Sequence, residues 1–225
     1  MIRLGVLVSG RGTTLQAILD ACASGLVDAE VVVVISNNPE AYALERARRA
    51  GVEAIVVDHR DFPDRPSFEA RLTEELERRR VDLVCLAGFL RILTSAFVER
   101  FRGRIMNIHP ALLPAFGGKG MYGERVHAAV LASGARVSGC TVHFVDETPD
   151  GGPIILQAVV PVLDEDTVET LAARVAREEH RLYPLAIQLF AEGRLEVRGK
   201  RVLIRREGRR ESRVQRGRPD DRIEE

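Results

Sequence analysis

The sequence predicts an α/β protein with a doubly wound, mostly parallel, Rossmann-like sheet and helices on both faces. The first observation is that apolar runs alternate along the chain with amphipathic stretches of helical spacing, the pattern of repeated βαβ units. The second is the segment at residues 30–35, where five consecutive β-branched residues indicate a strand buried on both faces. Ligands of such sheets bind beyond the carboxyl ends of the strands, so the loops there are the expected places for chemistry.

The first half of the chain is assigned from these patterns. Leu15, Ile18 and Leu19 follow helical spacing after a short apolar strand. Gly51 suits the position that closes a helix, and the arginines at residues 78–80 suit the negative end of a helix dipole. Strands are therefore predicted at residues 3–9, 30–35, 52–57 and 81–87, and helices at residues 15–23, 41–50 and 67–80, with a loop over residues 58–66.

The second half continues with further strands and helices. Residues 104–108 have the pattern of a strand, which Pro110 ends because proline lacks a backbone donor. Residues 140–146 alternate in polarity, which predicts a half-buried strand. A long helix is expected from residue 166 to 190, interrupted or kinked at Pro184. The remaining predicted elements are a helix at residues 125–133, a strand at 154–162 and a hairpin at 195–204.

Charge is unevenly distributed, although the 225-residue chain is formally neutral. Residues 198–225 hold 11 basic and 6 acidic residues, so this end carries +5 and the rest of the chain −5. We expect one domain over residues 1–204 and a charged, disordered tail over residues 205–225. A negatively charged body is a poor candidate for binding the phosphate backbone of nucleic acids.

Three cysteines, Cys22, Cys85 and Cys140, are widely spaced in apolar or small-residue surroundings. An odd, scattered set argues against a disulfide framework or a zinc site and for a reducing compartment. The amino-terminal apolar run is too short for a signal peptide, and no apolar run approaches the roughly 20 residues that span a bilayer. We therefore expect a cytoplasmic protein without a membrane segment.

Asn107 and His109 are the strongest candidates for catalysis. Alternate side chains of an extended strand share a face, so these two residues should point the same way. An amide donor beside an imidazole that titrates near neutrality suits the stabilisation of an oxyanion and the movement of a proton. Taken alone, Asn-x-His-Pro is also the ordinary end of a strand, with His109 as a satisfied surface histidine.

Residues 9–14, Ser-Gly-Arg-Gly-Thr-Thr, join the first strand to the first helix. Backbone N–H groups at a helix N-terminus, with threonine hydroxyls beside them, can form an anion site. Leu15 stands where a dinucleotide fingerprint needs its third glycine, and the lysine of a Walker A loop is missing. The segment suits one terminal phosphate of a small molecule, or it is a tight turn that only caps the helix.

Asp150 precedes two glycines, so it is either a turn former or a carboxylate placed near His109. A carboxylate in that place would favour the imidazolium and raise the pKa of His109. His143, on the preceding strand, is expected to support the pair. The sequence offers no pattern for a protein nucleophile or a metal site. This favours direct transfer between two bound substrates, with the protein supplying position, proton transfer and oxyanion stabilisation.

Seven motifs, in order along residues 2–197, make the chain similar to one enzyme family. They lie at residues 8–17, 35–38, 87–93, 107–114, 142–145, 150–157 and 179–184. With these motifs the chain resembles the phosphoribosylglycinamide formyltransferases, folate-dependent enzymes of purine biosynthesis. The resemblance implies the formyltransferase fold and transfer of the formyl group of 10-formyltetrahydrofolate, as co-substrate, to the amine of phosphoribosylglycinamide, without a metal ion.

The resemblance also implies roles for individual residues. The catalytic residues that it implies are Asn107, His109 and Asp150. The residues implied to hold the ribonucleotide are Gly12, Thr13 and Thr14 at the phosphate, with Glu179 at the glycinamide end. The residues implied to contact the folate are Arg65, Leu90, Arg91, Ile92, Leu93 and Asn107, together with the backbone of residues 146–150 at the pterin. His143 keeps its supporting role.

Two related enzymes share the Asn-x-His and Asp core. Methionyl-tRNA formyltransferase would need a further carboxy-terminal domain and a basic surface, and formyltetrahydrofolate hydrolase normally carries a regulatory domain before the catalytic one. That hydrolase and a non-catalytic phosphometabolite-binding protein are the alternatives, although a pure binder needs no titratable donor pair. The expected partners are small-molecule substrates, without nucleic acid or membrane, for a monomer or homodimer.

Overall fold

A nine-stranded sheet runs through the middle of the protein, with helices packed on both faces. The computed structural model describes residues 1–206, so most of the predicted tail, residues 207–225, lies outside the described residues. The strands are β1 (Ile2–Val8), β2 (Ala29–Ser36), β3 (Ala54–Val56), β4 (Leu83–Leu86), β5 (Ile105–His109), β6 (Val137–Phe144), β7 (Ile154–Pro161), β8 (Leu195–Arg198) and β9 (Arg201–Ile204). The α-helices are α1 (Thr13–Ala23), α2 (Tyr42–Arg49), α3 (Arg65–Arg78), α4 (Ser95–Arg100), α5 (Glu124–Ser133) and α6 (Val168–Ala191).

The strand order confirms the predicted doubly wound sheet. The order is β3-β2-β1-β4-β5-β6-β7-β9-β8, and the pairs formed among β1 to β5 are all parallel. β6 turns back antiparallel to both β5 and β7. The chain proceeds from β1 towards one edge and then returns to place β4 on the other side of β1. This change of direction opens a crevice at the carboxyl ends of β1 and β4, where ligands of such folds bind.

Two apolar layers hold the helices to the sheet. On one face α1, α2, α5 and α6 pack over the strands, with Leu15 and Tyr183 among the fully buried residues. On the other face α3 and α4 pack with Phe68, Leu72 and Phe97. The five β-branched residues of β2 face both layers, as the sequence predicted, because Val34 belongs to the first layer and Val33 to the second.

Three elements differ from the sequence prediction. β6 is buried along nearly its whole length instead of half-buried, because the segment 111–113 crosses it and Leu113 N–H donates to Thr141 Oγ1 at 3.1 Å. α6 continues through Pro184 without interruption, since the apolar face on both sides of the proline is buried against the sheet. α4 was not predicted; its six residues carry too little periodicity, and it is fixed by Thr94 at its N-cap.

Several boundaries also differ from the prediction, and the structure shows the cause in two places. α3 begins at Arg65, inside the predicted loop, because the Asp64 carboxylate accepts from Ser67 N–H at 2.8 Å and the first turn tolerates Pro66. Arg205, placed in the tail by its charge, instead donates its backbone N–H to the Arg194 carbonyl beside the hairpin, and the Arg194 side chain donates through Nε to the Arg205 carbonyl. Among residues 1–206, no helix is both long enough and apolar enough to cross a membrane.

Tyr183 joins α6 to two strands of the sheet. Its hydroxyl is fully buried and lies 2.8 Å from the Met106 carbonyl and 3.1 Å from the Leu86 carbonyl. Tyr183→Phe should lower the free energy of unfolding by about 1–3 kcal/mol, because buried acceptors lose their donor. Urea unfolding measures this, with Tyr122→Phe, at an exposed loop position, as a control that should stay within about 0.5 kcal/mol. Equal stability of both variants would contradict the assignment of this anchor.

Candidate functional site

A cleft of about 900 Å³ opens at the carboxyl ends of β1, β4 and β5, with α5 and α6 along one side. The structure brings most of the predicted site residues together along its wall: Thr13, Thr14, Leu90, Arg91, Ile92, Leu93, Asn107, His109, His143, Asp150 and Glu179. Gly12 lies just behind the wall, packed against Ala43. Arg65 is outside the cleft and exposed in the first turn of α3, so the structure does not place it with the other predicted folate contacts.

Asn107 is oriented by its cross-strand neighbour His143. The two residues are directly opposite in the antiparallel pair of β5 and β6. His143 Nδ1 lies 2.8 Å from the Phe144 carbonyl, which can only accept, so Nδ1 carries the proton and Nε2 is an acceptor in the neutral ring. Nε2 lies 3.2 Å from Asn107 Nδ2 and takes one of its two N–H groups. The second N–H of the Asn107 amide can therefore donate to a ligand in the cleft.

His109 is almost completely buried, and acceptors lie near both of its ring nitrogens. Nε2 is 2.8 Å from the carbonyl of Phe116, and Nδ1 is 3.5 Å from an Asp150 carboxylate oxygen. Phe116 belongs to the glycine-rich segment 115–123 and has a positive φ of 54°, a conformation that aims its carbonyl at the imidazole. The geometry therefore offers hydrogen-bond acceptors for an imidazolium.

The net shift in the pKa of His109 is downward, although Asp150 acts to raise this pKa as the sequence predicted. Burial lowers the pKa of His109 below its usual value. The Asp150 carboxylate and the Phe116 carbonyl act in the opposite direction but do not outweigh burial, and nearby His143 lowers the pKa further. His109 is thus mainly neutral at pH 7, with its protonated form favoured only when additional negative charge appears beside it.

Asp150 is held as a carboxylate at the end of the loop 146–150. Burial alone would raise the pKa of Asp150, but the nearby imidazoles of His143 and His109 and the hydrogen bond from the Gly118 N–H together lower it below its usual value. The Gly118 N–H donates to Oδ2 at 2.9 Å. Asp150 also has a positive φ of 55°, uncommon for a residue with a side chain. Such a conformation persists only where the surrounding contacts fix it.

The N-terminus of α1 forms the opposite end of the cleft. Its N-cap is Gly12, with φ of 72°, and no side chain among residues 1–206 caps it, in contrast to α3, α4 and α6. A Cβ on Gly12 would lie 2.6 Å from that of Ala43, so the close approach of α2 requires glycine here. The first backbone N–H groups of α1 remain available to an anion. Arg11 lines the cleft beside them, although it was not among the site residues predicted from the sequence.

Glu179, His127 and His180 add polar groups to the helical side of the cleft. Burial raises the pKa of Glu179 to about 7. His127 Nδ1 and His180 Nε2 are buried without a hydrogen-bond partner among the described residues. Neither of these two histidines was predicted as a site residue from the sequence. His127 lies in α5 and His180 in α6, and only the packing of these helices shows that the two side chains border a cleft.

The raised pKa of Glu179 predicts that ionisation of this carboxyl group has a cost, because it lowers the free energy of unfolding by an amount that depends on pH. The carboxyl group titrates near 4.3 in an unfolded chain and near 7 in the folded one, so the cost is absent at low pH and complete above pH 7. Glu179→Gln should raise the free energy of unfolding by about 1–3 kcal/mol at pH 8 and by much less at pH 5. Urea unfolding at both pH values tests this. The matched control is Glu178→Gln, which removes a surface ion pair with Arg181 and should not raise the free energy of unfolding. A pH-independent effect of Glu179→Gln would contradict the prediction.

The loop after β4 supplies an apolar wall at the mouth of the cleft. Leu90 and Ile92 are 59% and 48% exposed in this wall, and such apolar side chains are the usual lining of small-molecule sites. Ser9 fixes this loop, because its hydroxyl accepts from Leu90 N–H at 2.8 Å and donates to Asn37 at 2.5 Å. The wall is thus a firm surface against which a flat ring system can pack.

Comparison with known proteins gives a consistent set of matches. The family described as formyl transferase matches residues 2–187. The phosphoribosylglycinamide formyltransferase of Haemophilus influenzae is 43% identical over 198 residues, which are 88% of this chain and 91% of that protein. The trifunctional purine biosynthetic protein adenosine-3 of Gallus gallus is 45% identical over 196 residues, 87% of this chain. The chain spans only 19% of the length of that trifunctional relative.

A solved structure resembles the fold closely. The crystal structure of glycinamide ribonucleotide transformylase 1 from Symbiobacterium toebii superposes with a TM-score of 0.87 at 55% sequence identity. The match covers 91% of this chain and 94% of the other. These matches confirm the resemblance that the seven sequence motifs indicated.

Proposed function

The chain belongs to the formyl transferase family, and from that premise we propose that it transfers the formyl group of 10-formyltetrahydrofolate to the amine of 5'-phosphoribosylglycinamide. The product is formylglycinamide ribonucleotide, an intermediate of purine biosynthesis. The observation that carries the proposal is the cluster of Asn107, His109 and Asp150 in a cleft whose far end is the uncapped N-terminus of α1. None of the relatives described above is named a hydrolase, and no feature of the site favours that alternative.

The ribonucleotide spans the cleft from α1 to the catalytic cluster. Its phosphate accepts from the backbone N–H groups at Gly12, Thr13 and Thr14, where the helix dipole favours negative charge. Glu179 contacts the glycinamide end, and the amine that it binds favours the ionised carboxylate over the protonated one. The amine is thereby directed towards Asn107 and His109.

The folate lies along the apolar wall formed by the loop after β4. Leu90, Ile92 and Leu93 pack against its rings, with Arg91 beside them, and the backbone of residues 146–150 pairs with the pterin. The formyl group then lies next to Asn107. Arg65 is exposed outside the cleft, so it can meet only the distal part of a folate that extends beyond the mouth.

The chemical step is a direct attack of the neutral amine on the formyl carbon. A C–N bond forms, and the carbonyl π pair moves to oxygen to give a tetrahedral oxyanion. The intermediate loses one proton from the attacking nitrogen, and the bond to N10 of the folate breaks. The electron pair of that bond remains on N10, which takes up a proton, so one proton is transferred in total from the amine to tetrahydrofolate.

Asn107 and His109 stabilise the oxyanion, and Asp150 assists the proton movement. The Asn107 N–H that His143 leaves free donates to the oxyanion, which also replaces the Phe116 carbonyl as acceptor from His109. His109 is neutral at first and becomes protonated as negative charge develops on the formyl oxygen, because that charge raises its pKa. The ionised Asp150 stabilises the resulting imidazolium and relays the proton through water.

A formyl-transfer assay with several amine acceptors tests the proposal. Phosphoribosylglycinamide should be formylated, whereas methionyl-tRNA should not react, because a body with net negative charge lacks the basic surface that tRNA requires. Hydrolysis of the formyl-folate without an acceptor should be slow, since water lacks the binding energy that positions the amine. Hydrolysis as fast as transfer would identify a hydrolase, and binding of phosphoribosylglycinamide without turnover would identify a non-catalytic binder.

Other expectations from the sequence remain predictions. The cytoplasmic location is supported by the three free cysteines, and a monomer or homodimer is expected. In residues 1–206, no group of three or more histidine, cysteine, aspartate or glutamate side chains is arranged to hold a metal ion. The acidic part of the chain supports small-molecule substrates as partners and does not favour nucleic acid.

A further inference from the structure

The hairpin of β8 and β9 reaches the loop that carries Asp150, although the hairpin lies beyond the region matched by the family. Lys200, in the turn of the hairpin, donates to an Asp146 carboxylate oxygen at 2.8 Å and to the Gly151 carbonyl at 2.7 Å. Asp146 begins the loop 146–150, and Gly151 directly follows Asp150. One ammonium group therefore joins the two ends of the loop.

Besides the bond from the Gly118 N–H to Asp150, two hydrogen bonds within the loop contribute to its shape. Thr148 N–H donates to the other Asp146 carboxylate oxygen at 2.9 Å, and Gly151 N–H donates to the Thr148 carbonyl at 2.9 Å. These bonds close one tight turn, and Asp150 leaves that turn with a positive φ. A positive φ is uncommon for a residue with a side chain, although aspartate tolerates it better than most, so contacts at both ends of the turn help to maintain it.

The position of Lys200 follows from strand pairing. β9 runs parallel to β7, with Arg201 opposite Ile154 at the start of β7. Lys200, one residue earlier, thus lies next to the point where the loop enters β7. The hairpin itself is fixed by an ion pair of Arg205 with Glu196, on the strand opposite. The contact to the loop is therefore built into the register of the sheet.

We propose that Lys200 is a positioning residue that holds Asp150 and the backbone of residues 146–150 in the geometry needed for formyl transfer. The inference rests on the proposed function for its kinetic consequence. Its structural basis, the bridge from Lys200 to Asp146 and Gly151, is independent of that function. The hairpin is thereby a part of the catalytic apparatus and not only an edge of the sheet.

Steady-state kinetics of three variants test the role of Lys200. Lys200→Met should lower kcat by about three- to ten-fold and raise the KM for the formyl-folate, because small displacements of catalytic groups reduce turnover. The KM for phosphoribosylglycinamide should remain unchanged. Lys200→Arg should restore most of the activity, since a guanidinium can donate to both acceptors. Arg198→Met removes the same charge from the same hairpin, where within residues 1–206 it pairs only with Glu196, so this variant should behave as the wild type.

Hydrogen–deuterium exchange provides a readout that needs no turnover. The amides of Thr148 and Gly151 are hydrogen-bonded inside the loop, so they should exchange several-fold faster in Lys200→Met and at the wild-type rate in Arg198→Met. Unchanged exchange overturns the proposal, as does faster exchange with wild-type kinetics. If the wild-type protein transfers no formyl group at all, the proposed function fails, whereas the exchange comparison still decides whether Lys200 holds the loop.

Discussion

Asn107→Ala and His109→Ala should each lower kcat by at least about 100-fold, the usual effect of removing one oxyanion donor. The Asn107 amide has one N–H fixed by His143 and a second directed to the cleft, so alanine removes a donor that is already oriented. His109 is held between Phe116 and Asp150, and alanine removes both the second donor and the proton acceptor. The KM values should change much less, because these interactions strengthen only as charge develops.

The measurement is steady-state formyl transfer with both substrates varied, together with thermal unfolding of each variant. His59→Ala is a suitable control, since His59 is also partly buried and contacts Asn37 outside the cleft. A small change in melting temperature with a large loss of kcat would support the assignment. Normal turnover of either cleft variant would show that the oxyanion is stabilised by other groups.

The fold was predictable because its main determinants are local. The alternation of apolar strands and amphipathic helices is visible in the sequence, and so are the glycines that end elements, such as Gly51 at φ of 72°. The burial of β6 was not predictable in the same way. It depends on the segment 111–113 crossing the strand, a contact between residues distant in sequence, and the polar Thr141 is buried because Leu113 N–H satisfies it.

The same distinction between local determinants and long-range contacts applies to the candidate site. Asn107 and His109 could be selected because alternate residues at a strand end must share a face and meet the cleft. The direction of the pKa shift of His109 could not be predicted, because it depends on how completely the ring is buried beneath the segment that carries Phe116. The proposed contribution of Lys200 could not be predicted from the sequence either, because only the pairing of β9 with β7 brings this exposed side chain to the loop of Asp150.

The second large effect concerns the phosphate of the acceptor. Phosphoribosylglycinamide should be formylated at least about 100-fold more efficiently, in kcat/KM, than its dephosphorylated nucleoside. No side chain in the described part of the chain caps the first backbone N–H groups of α1, and their hydrogen bonds to a phosphate are charge-assisted. Each such bond contributes about 1.5–3 kcal/mol, and about 1.4 kcal/mol corresponds to a ten-fold change, so two bonds already account for the difference.

An arginine variant separates this phosphate preference from general substrate binding. Arg11 lines the cleft beside the N-terminus of α1, so Arg11→Met should raise the KM for the nucleotide by about ten-fold and leave the nucleoside reaction unchanged. Arg48→Met removes the same charge from the exposed face of neighbouring α2 and should change neither substrate. Equal reactivity of nucleotide and nucleoside in the wild-type enzyme would show that the N-terminus of α1 does not bind the phosphate. An equal loss with both substrates in Arg11→Met would instead place Arg11 in the support of the cleft, without direct contact to the phosphate.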